Sequence, residues 1–206
     1  MQVSLPQSEL AYQWINNMTT GIVIAAAGRG ERFTQAGGTG NKLNAALQGS
    51  TVFEQTLRQA LASGLPVQVV TRPENLPVQH ACAAHQVPVT LLASGGLGES
   101  IAAGVAATSG WHGWLIHLAD MPFVTPAVFL QVAGALQQHS IVRPVCQRQP
   151  GHPVGFSAVW RNALCALCGD RGARDLLSRE PVYLLPLDQP GIVQDIDLPS
   201  QLSSPP

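Results

Sequence analysis

A glycine-rich segment follows the first apolar run of the sequence and is itself followed by two cationic side chains. The run spans 21–26, and Gly28 and Gly30 come directly after it. Small residues let backbone N–H groups approach a phosphate closely, and glycine permits the positive φ angles of an anion-binding nest. Arg32 and Lys42 can neutralise a triphosphate, arginine as a planar fork and lysine as a point charge. We therefore expect a nucleotide phosphate site formed by Ala26, Ala27, Gly28, Arg29, Gly30, Arg32 and Lys42.

Three other interpretations of this loop stay open from the residues alone. A dinucleotide-binding fingerprint would have a third glycine where Phe33 stands, and a P-loop would have Gly-Lys-Ser/Thr where the sequence has Asn41-Lys42-Leu43. The third is a flexible turn that binds no ligand, because glycine-rich turns are common in α/β folds. The incomplete fingerprint keeps a dinucleotide-dependent oxidoreductase among the candidate functions.

Acidic residues occur at two places where a sheet would open to a ligand. Asp120 comes just after the apolar run 114–118, and open α/β sheets bind ligands beyond the carboxyl ends of their strands. Mg²⁺ prefers oxygen ligands, typically one or two carboxylates with phosphate oxygens and water, so we expect Asp120 to bind Mg²⁺. The alternative role of Asp120 is to cap a helix that begins near Thr125. Farther along, Asp195 and Asp197 alternate and share one side of an extended segment, although Asp197 can instead cap the turn that follows it.

Short apolar runs alternate with helical patterns along the chain, which implies parallel βαβ units and a sheet covered on both faces. The fold class is therefore α/β. Ser100 can cap the third helix, and Asp170 can cap the fifth. The predicted strands are 21–26, 67–70, 87–92, 114–118, 141–146, 154–160, 182–187 and 192–196, and the predicted helices are 51–64, 74–85, 100–108, 126–138 and 171–178.

Length and composition narrow the class of protein. The 206 residues fit one domain, which we expect at 21–202, with residues 1–20 as a helical or disordered lead. With 11 basic against 12 acidic residues, the chain has no excess for a nucleic-acid surface. No apolar run approaches the roughly 18 residues of a membrane span, and the first residues lack a signal peptide's apolar core. We expect a cytoplasmic protein with neither a nucleic-acid nor a membrane partner.

Several stretches, in order along the chain, resemble the MobA-like nucleotidyltransferases, and most closely the molybdenum cofactor (molybdopterin) cytidylyltransferases. The first loop of that family reads A-A-G-x-S-x-R-M-G before a lysine. This sequence keeps Ala26, Ala27, Gly28, Arg32 and Lys42, has Phe33-Thr34 in place of Met-Gly, and inserts 35–40 before the lysine. Further matches are G-G-L-G-E-S at 95–100, D-M-P at 120–122, G-H-P-V at 151–154, G-D-R-G-A-R at 169–174, and D-I-D-L-P at 195–199, where the family has D-I-D-T-P.

The resemblance implies a Rossmann-like three-layer nucleotidyltransferase fold with a mostly parallel central sheet. It implies transfer of a nucleotidyl group from a nucleoside triphosphate to the terminal phosphate of molybdopterin, with Mg²⁺ as cofactor and a molybdoenzyme or its chaperone as recipient of the product. The catalytic residues would be Arg32, Lys42 and Asp120. The nucleotide would contact Gly96, Gly98 and Ser100, and the acceptor would contact His152, Arg171 and Arg174. The metal ligands would be Asp120 and Asp195.

The role of the two arginines and the choice of nucleotide each have an alternative. Arg171 and Arg174 are three residues apart and would share a helix face, where either can instead pair with Asp170 or Asp175. The Ala-Ala-Gly loop favours CTP over GTP, because guanylyl members have Ala-Gly-Gly and a side chain there would crowd a purine. Rival functions are transfer to another phosphate or sugar-phosphate acceptor, the oxidoreductase named above, and a nucleotide sensor without activity.

Overall fold

The computed structural model of the protein describes residues 19–93 and 96–203. The predicted lead at 1–20 lies almost wholly outside these residues. None of the helices within the described ranges has the length and apolar character needed to cross a membrane.

Ten strands and seven α-helices form the described part of the chain. The strands are β1 (Thr20–Ala26), β2 (Ala46–Leu47), β3 (Ser50–Thr51), β4 (Val67–Thr71), β5 (Val89–Leu91), β6 (Gly113–Leu118), β7 (Ile141–Cys146), β8 (Gln149–Pro150), β9 (Val154–Ser157) and β10 (Tyr183–Pro186). The helices are α1 (Glu31–Gln35), α2 (Val52–Ala62), α3 (Leu76–Ala84), α4 (Leu97–Ala107), α5 (Pro126–Ala135), α6 (Arg161–Cys165) and α7 (Arg174–Arg179). Short 3₁₀ helices lie at Lys42–Asn44, Ala158–Trp160, Pro190–Val193 and Pro199–Leu202.

Eight of the strands form one central sheet in the order β10-β7-β9-β6-β1-β4-β5, with β8 beside β7. Strand β1 is central and pairs in parallel with both β4 and β6, so that Ile22 lies between Val67 and Leu115. Strand β9 runs antiparallel between β6 and β7. The sheet is therefore mostly parallel, as the alternation of strands and helices predicts. The carboxyl ends of β1, β4 and β6 meet at one edge.

Hydrophobic cores cover both faces of this sheet, because successive side chains of a strand point to opposite faces. On one face, Ile22 and Ile24 of β1 pack with Phe53 of α2 and other apolar side chains of α2, α3 and α5. On the other face, Val23 packs with Ile101 of α4 and with apolar residues of β9 and α6. The three layers of helix, sheet and helix confirm the predicted fold class.

Helix α4 begins earlier than predicted, and this changes the role of Ser100. The helix starts at Leu97 because the Glu99 carboxylate accepts a hydrogen bond from the Gly96 N–H and holds the first turn. Ser100 is consequently inside the helix, buried, with its hydroxyl donating to the Gly96 carbonyl. The alternative role of Ser100 as the cap of this helix is therefore wrong.

Helix α7 begins later than predicted. It starts at Arg174, its N-cap is Ala173, and no side chain caps it, so the expected cap at Asp170 is wrong. Gly172, with a φ of 55°, interrupts the chain before it. Arg171 therefore lies outside the helix, and the expectation that Arg171 and Arg174 share a helix face is wrong as well.

Two predicted strands also end differently. The predicted strand 192–196 does not join the sheet, because the chain forms the 3₁₀ helix Pro190–Val193 where the strand was expected to begin. Gly191 allows that turn, since a Cβ atom there would lie 2.2 Å from the Phe123 carbonyl oxygen. The predicted strand 154–160 ends at Ser157. The remaining elements are close to their predicted bounds.

Candidate active site

The glycine-rich loop leaves β1 at the carboxyl edge of the sheet and leads into the short helix α1. Gly30 precedes this helix with a φ of 65°, and a Cβ atom there would come within 3.3 Å of the Lys42 side chain. Glycine is required here for both reasons. The insertion at 35–40 is accommodated as a turn over Phe33, whose side chain is buried and whose carbonyl accepts from the Gly38 N–H. The insertion therefore leaves the lysine beside the loop.

Lys42 is the first residue of a 3₁₀ helix, and its neighbour Asn41 fixes that helix by accepting a hydrogen bond from the Leu43 N–H. The Lys42 Nζ atom lies 2.6 Å from Asp120 Oδ2 and 2.7 Å from Asp197 Oδ1, and the side chain is only 13% exposed. Arg32 donates to the other oxygen of Asp197 at 3.1 Å but is itself exposed. The loop after β1 is thus joined through its two cations to the C-terminal acidic segment.

Two hydrogen bonds to backbone carbonyl groups hold Asp120 at the end of β6. The hydroxyl of Thr56, from α2, donates to the carbonyl of Ala119, and the carbonyl of Asp120 accepts from the Ile196 N–H at 2.9 Å. Ile196 lies between Asp195 and Asp197, so this one backbone hydrogen bond fixes both later acids against Asp120.

Carboxylate oxygens of Asp120, Asp195 and Asp197 lie within 4.8 Å of one another. The Oδ1 atom of Asp120 is buried and has no hydrogen-bond partner among residues 19–93 and 96–203, whereas buried carboxylate oxygens are normally satisfied. Three convergent carboxylates are the donor set that a hard divalent cation such as Mg²⁺ prefers. The residues present therefore fit a divalent metal.

The pKa values in the cluster follow from burial and from the neighbouring charges. Burial, Asp197 and Asp120 all raise the pKa of Asp195. Burial opposes the charge of Asp197, but hydrogen bonds from Lys42 and Arg32 outweigh it and lower the pKa of that carboxyl. Burial likewise opposes the charge of Lys42, and Asp120 and Asp197 outweigh it and raise its pKa. Three acids thus face two cations, the mostly buried Lys42 and the exposed Arg32.

Two capping alternatives are not realised. Thr125, not Asp120, is the N-cap of α5, so Asp120 is free to act at the sheet edge. Asp197 does not cap the turn at Pro199, because Gln201 Oε1 accepts from both the Asp197 and the Leu198 N–H groups. The Asp197 carboxylate faces Lys42 instead. Sequence reasoning preferred Asp195 over Asp197, whereas the structure brings both to Asp120.

The segment 96–100 packs against the G-D-R-G-A-R stretch. A Cβ atom on Gly96 would lie 2.3 Å from Asp170 Oδ1, and one on Gly98 would lie 2.7 Å from the Cys168 backbone. The Gly98 N–H donates to the Gly169 carbonyl, and the Gly96 N–H donates to Glu99. These N–H groups are therefore engaged within the protein. A role of this segment in nucleotide binding stays a prediction.

The predicted acceptor residues line a cavity of about 310 Å³ on the α4 face of the sheet. His152, Arg171 and Arg174 are all at its wall, although Arg171 also pairs with Asp175 at 3.0 Å. Burial and Arg143 lower the pKa of His152 to about 4, which makes this imidazole neutral at neutral pH. Asp120 acts on the same pKa in the opposite direction.

Arg143 also lines this cavity, and sequence reasoning missed it. It projects from β7, and its Nε atom donates to the Gly151 carbonyl at 3.2 Å. In the sequence it is one cation in an apolar strand, and only the order of β6, β9 and β7 in the sheet brings it beside His152.

The remaining residues of the glycine-rich loop give less support to the predicted nucleotide site than expected. Arg29 is exposed and its one ion pair among the described residues is with Glu31, at 3.7 Å. Ala26 and Ala27 are each 1% exposed, so their methyl groups contact protein. The argument that a methyl group crowds a purine has no support from these positions.

A glycine-rich loop, a lysine and a carboxylate cluster at the carboxyl edge of a three-layer sheet are the arrangement expected of a nucleotidyltransferase. Comparison with known families agrees: residues 22–183 match the MobA-like NTP transferase domain, and the chain belongs to that family. A search of curated proteins gave no match.

Solved structures resemble the protein over most of their length. The manganese complex of Rv0371c from Mycobacterium tuberculosis is 25% identical, with a TM-score of 0.74 over 91% of this chain and 100% of that one. A nucleotidyl transferase from Methanothermobacter is 25% identical, with a TM-score of 0.73 over 88% and 93%. Molybdopterin-guanine dinucleotide biosynthesis protein A from Archaeoglobus fulgidus shares the fold at 19% identity, with a TM-score of 0.68 over 89% and 95%.

Proposed function

We propose that the protein transfers CMP from CTP to the terminal phosphate of a molybdopterin-type acceptor and releases pyrophosphate. The observation that supports this best is the position of Lys42, which is held between Asp120 and Asp197 and lies beside Gly30 of the glycine-rich loop. The preference for CTP rests on the resemblance of the Ala-Ala-Gly loop to cytidylyl members alone.

In this reaction an oxygen of the acceptor phosphate bonds to the α-phosphorus of CTP, and the bond from that phosphorus to the bridging oxygen of pyrophosphate breaks. The attacking phosphate is already an anion, so no side chain has to remove a proton. The work of the protein is to position the two substrates in line and to neutralise charge.

Individual residues then have separate tasks. Backbone N–H groups around Gly28 and Gly30 would receive the triphosphate, and Arg32 and Lys42 would stabilise the departing pyrophosphate. Asp120, with Asp195 and Asp197, would hold Mg²⁺. When bound there, that ion would supply Lewis-acid stabilisation of the charge on the phosphate oxygens.

Asp120→Asn tests the function most directly. Asparagine keeps the size of the side chain but removes the charge that a hard cation requires. We expect the variant to fold, and pyrophosphate release from CTP with molybdopterin to fall by about 10²-fold or more, with little recovery in excess Mg²⁺. Asp188→Asn removes an exposed acid outside the cluster and should leave turnover unchanged.

The assay includes GTP, ATP and UTP as alternative donors. Near-normal turnover of Asp120→Asn would remove Asp120 from the metal site and contradict the mechanism. Faster turnover with GTP than with CTP would overturn the donor specificity and leave the reaction class in place.

A further inference from the structure

The cavity that contains His152 is lined by both cationic and apolar side chains. Arg143, Arg171 and Arg174 supply the charge, and Ile116, Val154 and Phe156 are among the apolar residues. Among the described residues at its wall, none is an acid or an amide. Such a lining pairs with an anion and packs against an apolar body, and it offers few acceptors for hydroxyl groups.

The three arginines differ in how firmly they are held. Arg171 is exposed and engaged with Asp175, whereas neither Arg143 nor Arg174 has a carboxylate within 4.0 Å in the part of the chain that the structure describes. Arg143 is half-buried and fixed by two backbone carbonyls, those of Gly151 and Pro150. Both carbonyls are neutral, so the guanidinium charge remains available to a ligand.

Two backbone contacts connect Arg143 to the reacting centre. Gly151, which Arg143 contacts, has no room for a Cβ atom against the Ile192 carbonyl, and that carbonyl accepts from the His152 N–H. Ile192 begins the segment that continues to Asp195 and Asp197. An anion held by Arg143 would therefore lie beside the residues that place the metal-binding acids.

We propose that Arg143 is a further acceptor-binding residue that holds the acceptor phosphate, and that the apolar lining around it selects a phosphate monoester with a planar or apolar body over a polyol phosphate. This inference rests on the proposed function in taking the cavity as the acceptor site. In this arrangement Arg143 and Arg174 together bind the phosphate, and a sugar phosphate is a poor acceptor. The charge-assisted hydrogen bonds hold the phosphate of either ester, and the burial of apolar surface favours the planar one.

Binding of 1-naphthyl phosphate, followed by its fluorescence, tests this without the natural acceptor. We expect it to bind at least tenfold more tightly than erythritol 4-phosphate competing for the same site. Arg143→Gln should weaken its binding by about tenfold or more, the scale of one charge-assisted hydrogen bond, and Arg143→Lys should weaken it less. Arg174→Gln, at an exposed position where folding is not at risk, should also weaken it. Arg179→Gln, on the same helix but outside the cavity, is the matched control.

CTP binding is measured in parallel on the same variants and should not change. Equal binding of the two esters, or unchanged binding of naphthyl phosphate in Arg143→Gln, would overturn the inference. Binding of naphthyl phosphate with no binding of CTP would instead contradict the proposed function while leaving the assignment of the cavity intact.

Discussion

At the scale of single residues, the most consequential contact is that of Lys42 with two of the three carboxylates that could hold a metal. Its Nζ atom is 2.6 Å and 2.7 Å from their oxygens, which is the space a bound cation would need. The same lysine is proposed to act on the departing pyrophosphate. Metal and nucleotide together can therefore displace it to the phosphates, whereas the metal alone must compete with it.

Lys42→Met should separate these two roles. Removing the ammonium leaves the acids uncompensated, so Mn²⁺ should bind the nucleotide-free variant about tenfold more tightly, which corresponds to roughly 1.4 kcal/mol. Turnover should nevertheless fall by about 10²-fold or more, because the transition-state contact is lost. Titration followed by electron paramagnetic resonance measures the metal affinity, and pyrophosphate release measures turnover.

Arg29→Met is the control for that experiment, since it removes a loop cation that contacts Glu31 and not the acid cluster. An unchanged Mn²⁺ affinity in Lys42→Met would show that the lysine does not compete with the metal.

The candidate site was predictable from the sequence where one local signal decided a residue's position. Asp120 follows a buried strand directly, and Lys42 follows a glycine loop, so both were identified. Asp197 was undervalued because the proline after it suggested a cap, and only the folded chain shows Gln201 taking that role. Arg143 was missed because its neighbours come from strands that pair across the sheet.

At the scale of elements, a local signal likewise predicts an element correctly, and a contact between distant parts of the chain does not. Strand β7 was predicted at its observed bounds, since a single apolar run decides it. Helix α4 was misplaced because contacts of Gly98 and Glu99 with Gly169, in the segment before α7, hold its first turn. Helix α7 was misplaced because Gly172, with its positive φ, interrupts the chain before it. The Glu99 carboxylate accepts from the Gly169 N–H as well as from Gly96, and no local pattern could predict that pairing.

The close packing of these two segments makes Gly98→Ala an informative variant. A methyl group there would meet the Cys168 backbone at 2.7 Å, and overpacking of this kind typically costs about 1–3 kcal/mol. Urea unfolding should show that loss. Gly134→Ala, also within a helix but with nothing within 4 Å of the added Cβ, should raise the free energy of unfolding by roughly 0.5–1 kcal/mol. If both variants gained stability, the close contact with Cys168 would be wrong.

At the scale of the whole molecule, a buried histidine connects stability to pH. His117 lies in β6, fully buried, with its ring edge-on to Phe129 at 4.9 Å between centroids. Burial, and then the nearby His152, lower the pKa of His117 to about 3. The unfolded chain therefore binds a proton below about pH 6.5 that the folded chain does not bind until about pH 3.

Stability should consequently fall as the pH decreases through this window, by about 1.4 kcal/mol per pH unit for this histidine and about 2 kcal/mol in all by pH 5. Urea unfolding at pH 8, 6 and 5 measures this dependence. In His117→Leu the free energy of unfolding should fall less steeply with decreasing pH than in the wild type, because the contribution of this histidine is removed. His80→Gln, which removes an exposed histidine of α3, should keep the wild-type slope. Parallel pH dependences of wild type and His117→Leu would contradict the assignment.

The hydrogen bond from Lys42 to Asp197 joins residues 155 positions apart, and this has a consequence for the order of folding. Contacts so distant in sequence form only after the chain between them has been organised, because the entropy of closing a long loop opposes them. The central strands can pair before the acidic segment arrives, but the reacting groups cannot assemble until it does. During refolding, catalysis should therefore return no earlier than the sheet, and the appearance of activity marks the completion of folding.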